Sequence, residues 1–225
     1  MLLFLAVATG RRISAMNLYL PWTLGCAAAY LLGSVPFGFL VAKAKGLDIR
    51  QVGSGNIGAT NVFRCVSKPL GVLTFLLDLG KGVAGCCLIP WLPTIGFGVG
   101  AVDLSFRVTC GFLTVAGHNW TIFLGFKGGK GIATSAGLLL GLAPAACGWA
   151  VLAWLLVFLA TRYVSVASIF AALILGILAW PLYFHGNNGW FPLMLDILAA
   201  LAIWRHRANI QRLRAGTESR FQFKR

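Results

Sequence analysis

The chain contains two glycine-rich segments whose polar side chains are of the types that bind anions. The first covers residues 53–64 and places three glycines within six positions, which lets the backbone turn tightly and expose consecutive N–H groups. Such N–H clusters bind anions, and a guanidinium adds a planar fork suited to phosphate. The side chains that could contribute are Ser54, Asn56, Thr60, Asn61 and Arg64. A flexible interfacial loop is the alternative interpretation.

The second segment places two lysines on either side of two glycines. It consists of Lys127, Gly128, Gly129, Lys130 and Gly131. A phosphate could take N–H donors from the glycines and positive charge from both ammonium groups. The segment is not a Walker A loop, which needs Ser or Thr after its second lysine, where this chain has Gly131. The motif is weak alone, but together with the first segment it predicts two anion sites.

Further polar side chains occur in a turn and in the C-terminal tail. The turn after Arg162 carries the hydroxyls of Ser165 and Ser168. If the tail is helical, the polar His206 and Asn209 share one face with Ile210 and Leu213. This face could pack inward and place His206 and Asn209 in the site. The alternative is an amphipathic helix that lies on anionic lipid.

Two charged residues occur inside an apolar segment. Asp78 and Lys81 have the i, i+3 spacing that brings side chains together on a helix. Ionisable groups inside a membrane span are paired or functional. We favour a mutual ion pair that supports the loops over direct contact with a substrate. His118 could either act in catalysis or cap a helix end, and the sequence does not decide between the two.

The elements that carry these residues are predicted to be membrane helices. Of the 225 residues, 59% are hydrophobic and only 11% are charged, and the mean hydropathy is +0.84. A soluble domain carries about a quarter charged residues, so lipid must cover part of this surface. The excess of 19 Lys and Arg over five acids could suggest nucleic-acid binding. Basic cytoplasmic loops of a membrane protein explain it better, and we expect no nucleic-acid partner.

Apolar runs predict about seven transmembrane helices in an all-α membrane protein, or six if the two short runs around Pro144 merge. The positive-inside rule then places the N-terminus outside and the C-terminus in the cytoplasm, with the glycine-rich segments on the cytoplasmic face. Asp103 and Arg107 fall in a connection on the opposite face. The predicted spans are 17–42, 69–91, 107–125, 131–145, 146–161, 164–184 and 189–205.

The domain organisation is simple. Residues 1–15 combine an apolar run too short to span with two arginines on the wrong side, so they are predicted to be an N-terminal extension outside the core. Residues 16–225 form one membrane domain. The six cysteines are scattered through apolar segments without metal-ligand spacing, and we expect neither a metal site nor a cofactor.

Several enzyme classes leave no trace in the sequence. There is no GxSxG nucleophile elbow, and Phe123 stands where the HxxxxD pattern of common acyltransferases would need an acid after His118. A transporter for an organic anion is the competing functional class, and a structural membrane subunit is a third. Transport sites usually lie near the midplane of the membrane, whereas these motifs cluster at one face. This asymmetry favours an enzyme that works at the interface.

Taken together, the motifs closely resemble the PlsY family of bacterial acyl-phosphate:glycerol-3-phosphate acyltransferases. The resemblance extends from Met16 to Glu218 and is carried, in order, by GSGNIGATNVFR, LDLGKG, GHNWTIFLGFKGGKGIAT, RYVSVASI and HRANIQRLRAGTE. It implies seven spans in the bacterial inner membrane and an active site at the cytoplasmic face. It also implies the substrates acyl phosphate and glycerol 3-phosphate, with the soluble enzyme that makes acyl phosphate as a candidate partner.

The resemblance also implies roles for individual residues. Arg64, Lys127 and Lys130 would hold glycerol 3-phosphate, together with the glycines of their loop. Catalytic roles at the acyl phosphate would fall to Ser54, Asn56, His206 and Asn209. Glu218 would be a structural acid, and Asp78 and Lys81 a structural pair. Thr60, Asn61, Ser165 and, as a weaker match, Ser168 complete the substrate-binding set.

The implied reaction makes lysophosphatidic acid and phosphate, and acyl phosphate is already activated, so no covalent acyl-enzyme is required. The proton acceptor stays open between His206, whose ordinary pKa is suitable, and the phosphate of the donor itself. Ser54 as a covalent nucleophile is the third option and ranks last, because no base is evident beside it in the sequence.

Overall fold

A computed structural model describes residues 15–97, 102–186 and 189–222, and the regular elements in these ranges are helices. Residues 1–14, which make up nearly all of the predicted N-terminal extension, lie outside the described residues. One 3-10 turn, Ile122–Leu124, precedes the second glycine-rich segment. The helices are α1 Ala15–Ser34, α2 Phe37–Lys43, α3 Ala59–Cys65, α4 Lys68–Cys87, α5 Trp91–Phe97, α6 Leu104–Asn119, α7 Ile132–Leu142, α8 Pro144–Thr161, α9 Val164–Tyr183, α10 Trp190–Arg205 and α11 Arg207–Arg214.

Local sequence signals explain where several helices begin and end. Pro36 cannot donate a backbone hydrogen bond, so the first predicted span is interrupted between α1 and α2 rather than continuous. The helix-end carbonyls of Ser34 and Val35 accept hydrogen bonds from Thr121 Oγ1 at 2.5 Å and Lys81 Nζ at 3.0 Å. Asp103 caps the start of α6 by accepting from Phe106 N at 2.8 Å.

Four described helical segments are long and apolar enough to cross a membrane: Tyr19–Lys43, which includes α2 and most of α1, Lys68–Cys87, Pro144–Thr161 and Val164–Tyr183. Their outward faces carry large apolar side chains, such as Ile177, which is 66% exposed, and Leu156, which is 59% exposed. In water this surface would be costly, and in lipid it is favourable. The count of seven spans and the outside N-terminus stay predictions.

Two groups of helices form the bundle. One group packs α4 against α6 and α7, with α1 on α6, and the other packs α9 between α8 and α10. Glycines bring α4 and α7 into backbone contact, because a Cβ on Gly82 would lie 2.1 Å from the carbonyl oxygen of Thr134. A Cβ on Gly137 would lie 2.0 Å from the carbonyl oxygen of Leu79.

Arg107 lies inside α6, not in an outer connection as predicted from the sequence. Its Nε donates to Cys86 O at 3.2 Å and its Nη2 to Gly141 O at 3.0 Å, so one guanidinium satisfies the C-terminal ends of both α4 and α7. Because these two ends meet at Arg107, the neighbouring helices run side by side in the same direction. The N-terminal end of α7, which follows the second glycine-rich segment, therefore lies towards the same side of the bundle as the start of α4.

The start of α7 is recessed within the bundle. With a common C-terminal level, 20 residues in α4 and 11 in α7, its first residue lies about 14 Å below the start of α4. This depth corresponds to the level of Asp78 on α4. The sequence predicted a longer span over 131–145, and the structure ends this helix at Leu142 because Pro144 begins the next one.

Candidate active site

A cavity of about 700 Å³ lies where the two helix groups meet the glycine-rich segments. One end is polar and the other is apolar. The polar end contains most of the side chains that the sequence singled out, although they come from six separate parts of the chain. The polar lining residues are Ser54, Asn56, Thr60, Asn61, Arg64, Asp78, His118, Lys130, Ser135, Ser165, Ser168, His206, Asn209, Arg212, Thr217, Glu218 and Ser219.

Asn61 organises the first glycine-rich segment. Its side chain is buried, and its Nδ2 donates to the carbonyl oxygens of Ile49 at 3.2 Å, Val52 at 3.0 Å and Asn56 at 2.9 Å. Its Oδ1 accepts from Ser54 N at 3.0 Å. The amide is thus committed to the backbone of the loop, so we assign Asn61 to shaping the site instead of to the predicted contact with substrate.

Replacing Asn61 with Asp is expected to unfold this loop. The variant keeps an acceptor but loses the donors to three carbonyl oxygens and sets a carboxylate against them, which costs about 3 kcal/mol of unfolding free energy. Thermal unfolding of the purified protein in detergent measures the loss. Gln51→Glu, the same amide-to-acid change at an exposed position, is the matched control. Equal midpoints for both variants would contradict the assignment.

The second glycine-rich segment uses its first glycines differently from the prediction. Gly128 N donates to Asn119 O at 3.2 Å and Gly129 N to His118 O at 3.0 Å. Arg205 takes the carbonyl oxygens, with Nη2 at 3.2 Å from Gly128 O and Nε at 3.1 Å from Gly129 O. The N–H groups of Gly128 and Gly129 are therefore occupied within the protein and are not available to a phosphate.

The lysines of this segment also separate. Lys127 is exposed and is not among the residues that line the cavity, whereas Lys130 lines it together with Gly131, Ile132 and Ala133. The last three positions form the start of α7, where backbone N–H groups lack partners within the helix. Lys130 and this helix end provide a positive charge and a dipole that both favour an anion.

Glu218 holds the tail against the site. Its Oε1 accepts from Ser165 Oγ at 2.8 Å and from Asn209 Nδ2 at 2.7 Å, and its Oε2 accepts from Arg212 Nε at 2.8 Å. The other end of the Asn209 amide accepts from Lys130 Nζ. This network differs from a surface helix on lipid, because it fixes α11 inside the cavity wall. The sequence reasoning missed Arg212, although it follows Asn209 by three residues on the same helix face.

Burial and neighbouring charges tune the groups of this network. Burial lowers the pKa of Lys130 to about 8, although Glu218 opposes the shift. Burial raises the pKa of Glu218, but the hydrogen bonds from Asn209, Arg212 and Ser165 outweigh it and leave that pKa below its ordinary value. Lys130 and Glu218 are therefore both charged at neutral pH.

His206 is neutral, with one nitrogen free to accept a proton. Its Nδ1 lies 2.8 Å from Ala202 O, and a carbonyl oxygen can only accept, so Nδ1 carries the hydrogen. Nε2 is then the unprotonated nitrogen. Burial, reinforced by the charge of Lys130, lowers the pKa of His206 to about 4. The ring can accept a hydrogen bond but is a weak base.

A buried triad lies behind the second glycine-rich segment. Lys81 Nζ is 2.9 Å from Asp78 Oδ1, which is the ion pair predicted from their spacing. His118 Nδ1 is 3.4 Å from the same carboxylate oxygen, and both Asp78 and His118 line the cavity. The position of His118 could not be predicted from the sequence, because its partner Asp78 lies on another helix.

The apolar end of the cavity forms a slot along α9. Ser165, Ser168, Ala172 and Leu175 line it on one helix face and extend over about 15 Å. Ser168 donates to Val164 O at 2.8 Å and accepts from Trp154 Nε1 at 3.2 Å, so its hydroxyl ties α9 to α8. The side chains that line the slot most deeply are buried, namely Leu139, Cys147, Leu175 and Leu198.

The cavity also opens sideways. Phe75 on α4 and Val151 and Leu155 on α8 line it, and each is more than 40% exposed at the outer surface of the bundle. Both helices are among those able to cross a membrane. The side opening is therefore apolar, whereas the opening at the loops is polar and cationic.

Comparison with known proteins gives a consistent result. Residues 23–216 match the model of a family described as glycerol-3-phosphate acyltransferase. The chain is 46% identical over 198 residues to a glycerol-3-phosphate acyltransferase of Aquifex aeolicus, covering 86% of this chain and 95% of the relative. It is 45% identical over 199 residues to one of Desulforudis audaxviator, covering 87% and 93%.

Two solved structures are similar over most of their length. The crystal structure of PlsY (YgiH), an integral membrane glycerol 3-phosphate acyltransferase, in its glycerol 3-phosphate form has a TM-score of 0.77 and 41% identity, covering 89% of this chain and 96% of that one. The lysophosphatidic acid form has a TM-score of 0.74 and 40% identity, covering 89% and 95%.

Proposed function

Because the chain belongs to the PlsY family of glycerol-3-phosphate acyltransferases, we propose that its acyl donor is an acyl phosphate and its acceptor the sn-1 hydroxyl of glycerol 3-phosphate. The hydroxyl oxygen forms an ester with the acyl carbon, and the bond from that carbon to the phosphate oxygen breaks. The hydroxyl proton leaves on the phosphate, so the products are lysophosphatidic acid and inorganic phosphate. The observation that carries the proposal is a single cavity with one cationic end and one apolar slot.

Lys130, the start of α7 and Arg64 are the groups that we assign to the phosphate of glycerol 3-phosphate. Arg64 lines the cavity, and its Nη2 donates to Ser219 O at 3.1 Å, which leaves further donors of the fork for a ligand. These cationic groups would hold the phosphate of glycerol 3-phosphate close to the phosphate of the donor despite their mutual repulsion. Positioning of this kind supplies much of the rate enhancement in group transfer.

Ser54 and Asn56 are assigned to the donor. They lie at the polar end, where a developing oxyanion could take their hydrogen bonds, and the acyl chain extends into the slot along α9. Ser54 Oγ accepts from Asn56 N at 3.5 Å, a partner that cannot remove its proton. This contact supports direct transfer to the glycerol hydroxyl over a covalent acyl-serine.

His206 is proposed to orient the hydroxyl through Nε2, while the leaving phosphate takes the proton. His206→Gln is expected to lower kcat by about tenfold, since an obligatory base contributes roughly 10²- to 10⁴-fold. Initial rates with saturating substrates measure the effect. His185→Gln, at an exposed position away from the cavity, is the control. A loss of a thousandfold in a folded His206 variant would instead identify the histidine as the base.

The rate should depend on pH through Lys130. Its pKa of about 8 means that it is cationic below that value and neutral above it, so kcat/KM for glycerol 3-phosphate falls as the pH rises through about 8. A bound phosphate stabilises the cation, which moves the fall in kcat to higher pH. Lys130→Arg should shift the alkaline limb upward, whereas Lys127→Arg should leave it in place. An alkaline limb common to all three proteins would refute the assignment.

The membrane topology is proposed with the same function. The cationic end faces the cytoplasm, the chain crosses the bacterial inner membrane seven times, and the N-terminus lies outside. The concentration of Lys and Arg in the loops around the cavity supports this orientation. It would place the donor within reach of the soluble enzyme that makes acyl phosphate. Accessibility of tags placed at either end of the chain tests the orientation.

Phosphate release by the purified protein tests the proposed reaction. Palmitoyl phosphate is supplied with and without glycerol 3-phosphate, beside palmitoyl-coenzyme A as an alternative donor and Arg64→Ala as a defective control. We expect release that requires glycerol 3-phosphate and yields the sn-1 ester. Transfer from the thioester alone would refute the donor, an sn-2 product would refute the regiochemistry, and no turnover by folded protein would favour the anion transporter.

A further inference from the structure

Two adjacent glycines of the second glycine-rich segment rest on different kinds of atoms. A Cβ added to Gly128 would lie 2.1 Å from the carbonyl oxygen of His118 and 2.8 Å from the carbonyl carbon of Asn119. A Cβ added to Gly129 would lie 2.2 Å from His118 Nε2 and 2.9 Å from its Cε1. Gly128 therefore lies against backbone, and Gly129 lies against the imidazole ring.

The ring has little freedom to retreat. His118 is 5% exposed, and its other nitrogen faces Asp78 at 3.4 Å. Asp78 is fixed by Lys81, whose ammonium also donates to Val35 O at 3.0 Å. The imidazole is thus supported by an ion pair on α4 and a carbonyl at the end of α1, and it presents one edge to Gly129.

The ring supports the backbone that places Lys130 in the cavity. Gly129 immediately precedes this lysine, and Gly131 begins the turn into α7. Arg205 holds the two glycine carbonyls from the other side. A shift of Gly129 towards or away from the His118 ring must therefore move the ammonium of Lys130 relative to the cavity, while the rest of α7 stays packed on α4.

We propose that His118 is a positioning residue. Its imidazole ring forms a seat, meaning the surface on which Gly129 packs, and this contact sets the position of Lys130 in the cavity. The proposal rests on the proposed role of Lys130 in binding glycerol 3-phosphate. This role differs from the two that the sequence left open for His118, because the ring would act on substrate binding only through Gly129. Displacement of a positioning group by about 1 Å can cost a hundredfold in rate.

A double-mutant cycle tests the seat. Gly129→Ala pushes the ring and the loop apart, and His118→Ala removes the ring, so each is expected to lower kcat/KM for glycerol 3-phosphate by about a hundredfold, mostly through KM. In the double variant the new methyl group occupies space that the imidazole vacated. We therefore expect it to regain at least about tenfold over Gly129→Ala, a strong coupling between contacting residues.

Gly128→Ala combined with His118→Ala is the matched control. The Gly128 methyl would meet backbone, so deleting the His118 side chain should restore nothing. Gly148→Ala, where an added Cβ meets no atom within 4 Å, should keep the wild-type rate. If the His118→Ala, Gly129→Ala variant stays as slow as the worse single variant while folded, the seat is refuted.

Hydrogen exchange separates this inference from the proposed function. The amides of Gly128 and Gly129 donate to Asn119 O and His118 O and should be protected in the wild-type protein. His118→Ala should speed their exchange, and adding Gly129→Ala should slow it again. Unchanged exchange in His118→Ala overturns the seat even in an active protein. Absence of acyl transfer by the wild-type protein refutes the proposed function without altering this result.

Discussion

Lys130→Met is expected to lower kcat/KM for glycerol 3-phosphate by at least about a hundredfold. The change removes a half-buried cation that faces the cavity and leaves Asn209 Oδ1 without its donor. Truncating one partner of a buried charged interaction costs about 3 kcal/mol or more, and each 1.36 kcal/mol corresponds to about a tenfold change in rate. KM for glycerol 3-phosphate should carry much of the loss.

The neighbouring lysine supplies the control for this experiment. Lys127 belongs to the same segment and carries the same charge, but it is exposed and does not line the cavity. Lys127→Met should therefore stay within about threefold of the wild-type rate, the range of weak surface interactions. Equal losses in the two variants would mean that the loop acts through its total charge, and the assignment of Lys130 would be wrong.

Glu218→Ala is expected to produce the second large loss, about a hundredfold in kcat/KM together with about 3 kcal/mol of unfolding free energy. Ser165, Asn209 and Arg212 all donate to this carboxylate, so its removal leaves three donors without an acceptor and two cations without a counter-charge. Asn209 would then no longer be held in register with Lys130. Initial rates and thermal unfolding measure the two effects.

Glu218→Gln separates charge from shape in this network. It keeps a hydrogen-bond acceptor but loses the negative charge that raises the pKa of Lys130, so the alkaline limb of the pH profile should move to lower pH. Asp48→Asn is the control, because Asp48 forms an exposed pair with Arg50 at 2.6 Å and should change neither property. A Glu218→Ala protein with wild-type rates would refute the network.

The sequence predicted the helical membrane architecture and most of the polar end of the cavity. Both predictions rest on local quantities, since hydropathy marks apolar runs and the motifs are contiguous in the chain. The pair of Asp78 and Lys81 could also be predicted, because both residues lie on one helix at a favourable spacing. The PlsY family, which the motifs indicated, was confirmed by the comparisons.

What the sequence could not provide was the direction of each polar group. Lys127 and Lys130 look equivalent in the chain, and only the clamp of Asn119, His118 and Arg205 on the two glycines decides that Lys130 enters the cavity. Asn61 looked like a donor to substrate until its contacts with three carbonyl oxygens were known. The contact of Arg205 with Gly129 joins residues 76 positions apart, and the contacts of Asn61 depend on how an irregular loop folds, so no periodic pattern in the sequence encodes either of them.

The side opening between Phe75 and the outer face of α8 makes the protein a catalyst between two phases. With our proposed substrates, an acyl phosphate would enter from the bilayer and glycerol 3-phosphate from water. Lysophosphatidic acid would then leave into the bilayer and inorganic phosphate into water. The relevant concentration of the donor is then its mole fraction in the lipid, not its bulk molarity. Diluting the donor with inert lipid at constant total amount should slow the reaction, whereas adding buffer that contains the same concentration of glycerol 3-phosphate should not.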